Sequence, residues 1–242
     1  MSAPLLEVDA ITKHFGGFTA LAGVSLSVQS GERIGLIGPN GSGKTTLINC
    51  ISGALQNDAG SVRFKGRDLN GLPAHRRTRL GICRTYQIPK PFGTMTLAGN
   101  LAVPLEYVVH QGVAFNVNVD PQALAILEEF GLAPKARIAA ENLSQVELRK
   151  LELARAVAAK PDLLICDEAM AGLAAAEVDE VLDILFRINA RGITVLMIEH
   201  IMRAIMKFSM RVVCLDAGQI IAAGAPRDIV QDPNVRRAYL GA

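Results

Sequence analysis

One glycine-rich segment carries the clearest chemistry in this chain. It reads Gly38-Pro39-Asn40-Gly41-Ser42-Gly43-Lys44-Thr45-Thr46 and fits the phosphate-loop pattern G-x-x-x-x-G-K-[ST] without a mismatch. Glycines let successive backbone N–H groups turn toward a triphosphate, the lysine ammonium neutralises its β- and γ-phosphates, and the threonine hydroxyl ligates magnesium. We therefore predict that this segment binds ATP, with Lys44 as a catalytic cation and Thr45 as a ligand of Mg²⁺.

A second candidate site lies where two acids follow an apolar run. Residues 163–166 read as a buried strand, and Asp167 and Glu168 come directly after them. In open α/β sheets, ligands bind at the carboxyl ends of the strands. Asp167 would hold magnesium, directly or through water, and Glu168 would orient and deprotonate the attacking water. The plainer interpretation, a strand end with two surface acids, is disfavoured because a phosphate loop precedes the pair.

Three further side chains are candidates for the same site. His200 follows an apolar run at residues 194–198, and its imidazole could donate to the γ-phosphate and hold the attacking water. Phe15 precedes the phosphate loop and could stack on adenine. Gln87 could join magnesium and water as a neutral amide ligand. Each also has an ordinary explanation, as a surface histidine, a core aromatic residue or a surface amide.

The elements that must position these residues alternate along the chain. Apolar runs at residues 34–37, 163–167, 194–198 and 212–216 read as strands, and residues 175–189 and 201–207 read as helices. This alternation is typical of parallel strands joined by crossover helices. Earlier runs at residues 5–11, 24–28 and 62–64 predict further strands, with a basic helix after Pro73 and a strand-like run at residues 81–86.

The middle of the chain has a different character. Prolines and helical patches predominate from residue 89 to about residue 141, and residues 111–119 between two patches predict a mobile loop. Ser144 and Glu147 have the spacing of a capping box, which predicts a helix over residues 146–159. The sequence therefore predicts a phosphate-loop α/β core that is interrupted by a mostly helical insertion.

Composition excludes several classes of function. The chain has 242 residues, 50% hydrophobic content and a formal net charge of +2, so no basic surface argues for nucleic acid. No apolar run approaches the length of a membrane span, and the N-terminus does not read as a signal peptide. Four widely spaced cysteines in apolar surroundings read as buried thiols in a reducing compartment, which favours a cytoplasmic location: Cys50, Cys83, Cys166 and Cys214.

Taken in order, these motifs resemble the ATP-binding subunit of an ABC transporter over nearly the whole chain. Phe15, the phosphate loop, Gln87 and His200 follow the family order, together with Leu143-Ser144 at a helix start and the Asp167-Glu168 pair. The wording of residues 81–87, 167–173 and the ending Ala238-Tyr239-Leu240-Gly241 resembles subunits that energise branched-chain amino-acid importers. Urea and amide importers are similar in sequence, so the cargo stays open at this point.

The resemblance implies one ABC ATP-binding domain over residues 1–242, an α/β fold with three parts. A P-loop NTPase core with an N-terminal antiparallel β subdomain would take residues 1–88 and 160–242. A helical subdomain would take about residues 89–159. ATP and Mg²⁺ would be its ligands, with the magnesium held by Thr45, Gln87 and Asp167 and the hydrolysis carried by Glu168, His200 and Lys44.

The resemblance also implies partners. Two ATP-binding subunits, identical or related, would dimerise so that Ser144 of one donates to the nucleotide of the other. The helical insertion would dock onto transmembrane permease subunits, with residues 87–92 as the link to the active site, and a substrate-binding protein would act indirectly. The chain would then be peripheral, on the cytoplasmic face of the plasma membrane, and would not bind nucleic acid.

Two motifs depart from the family pattern. The signature usually reads Leu-Ser-x-Gly-Gln, but here Val146 stands in place of the glycine and Glu147 in place of the amide. A carboxylate about 6 Å from a phosphate charge is repelled by on the order of 3 kcal/mol at an effective dielectric constant near 20. Ala174 also replaces the usual Asp or Asn that follows Gly172-Leu173. These departures predict a chain that holds nucleotide well but serves poorly as the lid on its partner's nucleotide.

Two other classes of protein share the phosphate loop but fit the remaining motifs less well than a transporter subunit does. A soluble nucleotide-gated switch of the ABC type usually has two fused copies or long extra arms, and this chain has neither. A small-molecule P-loop kinase would need an acceptor pocket and a basic lid, and it does not predict Gln87, Ser144 and His200 in this order. Both are therefore disfavoured.

Overall fold

The computed structural model describes residues 3–109 and 121–240, which form two sheets and a set of surrounding helices. The strands are β1 (Leu6–Phe15), β2 (Phe18–Val28), β3 (Arg33–Ile37), β4 (Ala59–Phe64), β5 (Arg67–Asp68), β6 (Ile82–Arg84), β7 (Leu163–Asp167), β8 (Thr194–Ile198), β9 (Arg211–Asp216) and β10 (Gln219–Gly224). The α-helices are α1 (Lys44–Ser52), α2 (Ala74–Arg79), α3 (Leu97–Pro104), α4 (Pro121–Glu129), α5 (Gln145–Ala158), α6 (Ala175–Ala190), α7 (Met202–Phe208), α8 (Pro226–Gln231) and α9 (Pro233–Leu240). A π-helix (Leu105–Val109) follows α3, and 3₁₀ helices cover Ala133–Lys135 and Ala140–Asn142.

The smaller sheet is antiparallel and comes from the N-terminal part of the chain. Its strand order is β2-β1-β4-β5. Strands β1 and β2 form a hairpin in which Phe15 pairs with Phe18 across Gly16 and Gly17. Directly paired residues of an antiparallel ladder project to the same face, so this turn presents two aromatic rings together at the end of the hairpin.

The larger sheet holds the strands that precede the candidate site residues. Its order is β10-β9-β3-β8-β7-β6. Strand β3 pairs in parallel with β8 and β9, β7 pairs in parallel with β6 and β8, and only the edge strand β10 is antiparallel to its neighbour. The carboxyl ends of β3, β7 and β8 therefore meet at one edge, as expected for strands that share a direction.

Hydrophobic cores lie on both faces of this sheet. In β7, Leu164 and Cys166 belong to the core shared with the helices of the middle and C-terminal parts. Leu163 and Ile165 belong instead to the core shared with α1 and the antiparallel sheet. Successive side chains of a strand point to opposite faces, so a strand covered on both sides must be apolar throughout, which explains the continuous apolar runs in the sequence.

The fold predicted from the sequence is confirmed, with differences at the element ends. Strands β1 and β2 extend to the hairpin turn, well beyond the predicted residues 5–11 and 24–28, because backbone pairing continues through polar residues. The short elements β10, α8 and α9 were not predicted, since their mixed polar and apolar residues give no clear period. All four cysteines are buried and free, as predicted. The loop predicted at residues 111–119 lies outside the described residues.

Arg77 links the helix that follows the phosphate loop to its surroundings. Its guanidinium is buried and donates to Cys50 O at 2.7 Å, Ile51 O at 2.9 Å, and the carbonyls of Leu69 and Leu72. Cys50 and Ile51 lie in the last turn of α1, where carbonyls have no partner within the helix. One basic side chain of α2 therefore supplies hydrogen-bond donors to the carbonyls at the end of α1.

We expect Arg77→Met to lower the free energy of unfolding by on the order of 3 kcal/mol, because several buried carbonyls lose their donor together. Urea unfolding of the variant measures this change. Arg76→Met, on the same helix but at an exposed position, is the matched control and should stay within about 0.5 kcal/mol of wild type. Equal stabilities of the two variants would show that Arg77 does not support α1.

Candidate functional site

The phosphate loop occupies the space between the end of β3 and the start of α1. Gly43 is the N-cap of α1 and has a left-handed backbone, with φ at 105°. A Cβ atom on Gly43 would lie 2.6 Å from Ala20 O, and one on Gly38 would lie 2.0 Å from Leu215 O. Any larger residue would push the loop off its support, so both glycines are required by packing. The loop consequently presents its N–H groups at a helix N-terminus, where anions bind.

Lys44 is held by the loop from which it projects. Its ammonium is buried and donates to Gly38 O at 2.6 Å and to Pro39 O at 3.0 Å. Burial lowers the pKa of Lys44, and the nearby carboxylates of Glu168 and Asp167 partly oppose that shift. The Lys44 ammonium is therefore already positioned at the loop. It is bound to neutral carbonyls, which an anionic phosphate would displace because charge-assisted hydrogen bonds are stronger.

Glu168 is at the centre of a polar cluster. Its two carboxylate oxygens contact Gln87 Nε2 at 2.7 Å and His200 Nε2 at 2.9 Å. Its backbone has a φ of 49°, a left-handed conformation that is unfavourable for a residue with a side chain. Strain of this kind persists where a particular side-chain position is needed, and here it directs the first residue after β7 toward the phosphate loop.

Asp167, the last residue of β7, is paired with a residue that the sequence did not indicate. Its Oδ2 accepts from Arg84 at 2.5 Å, and Arg84 also donates to Asn49 of α1 at 2.5 Å. Both side chains of the ion pair are nearly buried. Arg84 thus orients the predicted magnesium ligand and links it to the helix of the phosphate loop.

Most of the predicted residues meet in one cavity of about 280 Å³. It is lined by Phe15, Phe18, Ala20, residues 40–46 of the phosphate loop, Glu168 and His200. Gln87 adjoins it through its hydrogen bond to Glu168, and Asp167 is the neighbouring residue in the chain. Phe18 was not predicted, although its position across from Phe15 in the hairpin would have indicated it. Ser144 is not among the lining residues of this cavity.

Ser144 instead begins α5 with the predicted capping box. Its hydroxyl accepts from the Glu147 backbone N–H at 3.4 Å, and Glu147 Oε2 accepts from the Ser144 backbone N–H at 3.0 Å. Glu147 Oε1 accepts from Lys135 at 2.6 Å, and this hydrogen bond holds the pKa of Glu147 below its ordinary value. The Glu147 charge is therefore already compensated, so the repulsion estimated above for a bare carboxylate is an upper value. Lys135 gave no signal in the sequence.

Arg149, another residue that the sequence did not indicate, joins α5 to the loops of the cavity. It donates to Gln87 O at 2.6 Å, to Tyr86 O at 3.2 Å and to Ala171 O at 3.4 Å. Gln145, at the start of α5, also donates to Ala171 O at 3.3 Å. The helix that begins at Ser144 is thus bonded both to the segment of Gln87 and to the segment that follows Glu168.

The donors available for a metal ion are few and oxygen-rich. Among residues 3–109 and 121–240, no group of three or more His, Cys, Asp or Glu side chains is placed to hold a metal ion. The predicted set of Thr45, Gln87 and Asp167 offers a hydroxyl, an amide and a carboxylate. Such a set suits Mg²⁺, which keeps oxygen ligands and takes part of its shell from water and substrate phosphates.

The glycine-rich loop lies between a strand and a helix N-terminus, and it faces an acid and a histidine at the same sheet edge. This arrangement defines a P-loop nucleotide-binding protein that hydrolyses ATP. Comparison with known proteins gives the family. The ABC transporter family model matches residues 21–171, and a model described as branched-chain amino acid ATP-binding cassette transporter matches residues 219–242. The chain belongs to the ABC transporter family, as one of its ATP-binding proteins.

The relatives match over their full length. The high-affinity branched-chain amino acid transport ATP-binding protein BraF of Pseudomonas aeruginosa is 36% identical, covering 100% of this chain and 99% of the relative. LivG of Escherichia coli, which has the same description, is 35% identical with the same coverage. Among solved structures, a nucleotide-free ATP-binding cassette of an ABC transporter has a TM-score of 0.88 at 32% identity, covering 99% of this chain and 100% of that one. A cassette in its ADP conformation has a TM-score of 0.87 at 32% identity and covers 100% of both chains.

Glu199, between β8 and His200, is buried. Its burial predicts that the free energy of unfolding depends on pH. Burial, aided by the charge of Glu168, raises the pKa of Glu199 to about 7, although the Met170 backbone N–H donates to its carboxyl at 2.9 Å. A native pKa above the unfolded value means that folding favours the protonated form. Its stabilising effect is complete below the ordinary pKa and is lost as the pH rises toward 7.

We therefore expect Glu199→Gln to become more stabilising, relative to wild type, as the pH rises from about 5 to 8, reaching about 2 kcal/mol. Urea unfolding at several pH values measures the difference. Glu128→Gln, at an exposed position, is the matched control and should show no comparable rise. A Glu199→Gln difference that stays constant with pH would contradict the assignment of a buried, protonated carboxyl.

Proposed function

We propose that this chain is the ATP-hydrolysing subunit of an importer for branched-chain amino acids. The observation that carries the proposal is the Glu168 carboxylate, which Gln87 and His200 hold beside the phosphate-loop cavity. The branched-chain amino-acid transport role of the relatives and the match of residues 219–242 support the cargo. The urea or amide importer and the soluble switch considered above have no comparable support.

In this proposal different cavity residues bind different parts of the nucleotide. Phe15, half exposed beside the loop, would stack on adenine, and Phe18 opposite it would cover the base further. The N–H groups of the phosphate loop would bind the phosphates at the start of α1. Lys44 would leave the carbonyls of Gly38 and Pro39 to neutralise the β- and γ-phosphates.

Hydrolysis would depend on the acids after β7. Glu168 would orient and deprotonate the attacking water, and His200, bonded to the same carboxylate, would hold that water and the γ-phosphate. Thr45, Gln87 and Asp167 would hold Mg²⁺, which neutralises charge on the phosphates when it is bound. Arg84 would keep Asp167 oriented toward that position.

The position of Ser144 outside the cavity supports a composite site between two subunits. In such a dimer, homologous or identical, Ser144 of one copy would donate to the nucleotide held by the other. Closing the dimer would be a population shift, because only the closed state makes these contacts with the γ-phosphate. The departures at Val146 and Glu147 would make this chain a weaker lid than a partner with the usual signature.

A groove lined partly by residues of the proposed helical subdomain supports a membrane partner. It has a volume of about 310 Å³ and includes Lys90, Val103, Val108 and Arg155 in its lining. Ile88, within the loop predicted to link the site to the permease, is 73% exposed. We infer that residues about 89–159 form the helical subdomain and dock onto permease subunits, with residues 1–88 and 160–242 as core and β subdomain. Docked onto permease subunits in this way, the chain would be peripheral, at the cytoplasmic face. Within the described ranges, none of the helices has the length and apolar character of a membrane span.

The central roles are tested with two variants of the full chain in its complex. Lys44→Ala removes the phosphate cation and should weaken ATP binding by more than 100-fold, as an order-of-magnitude expectation for a desolvated charge-assisted contact. Glu168→Gln keeps the shape and the hydrogen bonds, so ATP binding should persist while turnover falls by about 10²- to 10⁴-fold. Calorimetry gives the affinities, and phosphate release gives the rates.

Glu128→Gln, the same chemical change at an exposed position, is the control for Glu168→Gln and should keep the wild-type rate. Wild-type turnover by Glu168→Gln would remove Glu168 from catalysis. Unchanged ATP affinity of a folded Lys44→Ala chain would contradict the assignment of the phosphate loop.

The altered signature is tested by restoring the usual residues. Val146→Gly with Glu147→Gln should raise the ATPase rate of the isolated chain far more than that of a complex whose partner has an intact signature. A glycine allows closer backbone approach, and a neutral amide removes charge where it opposes the transferring phosphoryl group. Phosphate-release assays of both proteins, alone and in the complex, measure the effect.

Lys135→Ala is the control that separates charge from shape. It should lower the rate while Glu147 is present, because the carboxylate loses its compensating partner, and should have little effect in the Glu147→Gln background. If the isolated wild-type chain already turns over as fast as the restored variant, Val146 and Glu147 are tolerated substitutions.

A further inference from the structure

The C-terminal helix α9 returns to the start of the phosphate loop. The Tyr239 hydroxyl accepts a hydrogen bond from the Gly38 backbone N–H at 2.8 Å, although the two residues are 201 positions apart. Gly38 is the first residue after β3. Tyr239 belongs to the ending Ala238-Tyr239-Leu240-Gly241. None of the roles proposed above involves this segment.

The backbone N–H of Gly38 belongs to a buried residue and therefore needs a hydrogen-bond acceptor within the protein. The residue is packed against Leu215 O and Ser42 Oγ so closely that no side chain fits, with 2.0 Å and 2.7 Å from a Cβ position to these atoms. A buried amide without a partner is strongly unfavourable. The Tyr239 hydroxyl supplies that partner. The residue is 44% exposed overall, but partial desolvation of its phenol raises the pKa of Tyr239.

The other polar group of Gly38 holds the catalytic lysine. Its carbonyl accepts from Lys44 Nζ at 2.6 Å. One glycine therefore connects Tyr239, through its N–H, with Lys44, through its C=O. By restraining rotation of the backbone at Gly38, the tyrosine also restrains the position from which Lys44 starts toward a phosphate.

A second contact from the C-terminal part braces the same loop. The Gly218 N–H, in the turn between β9 and β10, donates to Ser42 O at 2.9 Å, and the Gly218 carbonyl accepts from Ala22 N at 2.9 Å. The loop is thus fixed at Gly38 by α9 and at Ser42 by this turn. Residues 40–46 still line the cavity, so the braces leave the binding face open.

We propose that Tyr239 is a positioning residue for nucleotide binding, whose hydroxyl fixes Gly38 and thereby the phosphate loop and Lys44. The inference rests on the proposed binding of nucleotide at this loop and gives the C-terminal segment a physical purpose there. A loop that is ordered before the nucleotide arrives loses less conformational freedom on binding. The hydroxyl therefore increases nucleotide affinity without touching the nucleotide.

The experiment removes the hydroxyl and the ring in separate variants of the full chain. Tyr239→Phe deletes only the hydroxyl and should raise the Kd for ADP about three- to tenfold, the range expected for one hydrogen bond. Tyr239→Ala deletes the ring as well and should weaken ADP at least as much. Tyr107→Phe, a hydroxyl deletion at an exposed tyrosine of the π-helix, is the matched control and should leave the Kd unchanged.

Amide hydrogen exchange at Gly38 reports the ordering of the loop separately from overall stability. It should be faster in Tyr239→Phe than in wild type, and by a larger factor than at the core amides of β3, which report any loss of overall stability. The proposal is overturned if Tyr239→Phe binds ADP like wild type and only Tyr239→Ala is weak, because ring packing would then be sufficient. Unchanged exchange at Gly38 would overturn it as well. Lys44→Ala distinguishes failure of this proposal from failure of the proposed nucleotide site, since unchanged ADP affinity in this variant refutes the phosphate-loop assignment itself.

Discussion

The parallel pairing of β3, β8 and β7 is the constraint on which the site depends. Each strand is mostly apolar because helices or the second sheet cover both of its faces, and each ends at the same edge. Polar groups that follow these strands are therefore brought together: the phosphate loop after β3, Glu168 after β7 and His200 after β8. Glu199, which precedes His200, is buried instead. A shift of one strand by a single residue would turn its core side chains to the opposite face and separate this set.

The polar groups at this edge bind one another in a defined pattern. Lys44 donates to loop carbonyls, Asp167 accepts from Arg84, and Glu168 contacts both Gln87 and His200. Lys44 and Asp167 are buried, and their charges would cost free energy if they had no partners. The pattern orients each group before substrate arrives, which is the condition under which charged groups stabilise a developing charge most effectively.

The start of α5 shows how the protein environment changes the meaning of a substitution. Glu147 in place of an amide brings a negative charge to a position that faces a phosphate in the proposed dimer. Lys135 pairs with it at 2.6 Å, and the carboxylate also caps the helix through Ser144. The loss of the usual residue is thus partly compensated within the chain, whereas Val146 has no such compensation, because a branched side chain occupies space that a glycine leaves free.

The sequence by itself determined the phosphate loop, the acids at the end of β7, the capping box and the order of the main strands and helices, but not β10, α8 and α9. Each of these depends on local spacing: a glycine pattern, a continuous apolar run, or a serine three residues before a glutamate. Only the tertiary structure decided which distant side chains complete the site. Arg84 on Asp167, Lys135 on Glu147, Phe18 beside Phe15 and Tyr239 on Gly38 are contacts between elements. Such contacts have no period in the sequence, because they are set by how strands and helices pack against one another and not by the preferences of neighbouring residues.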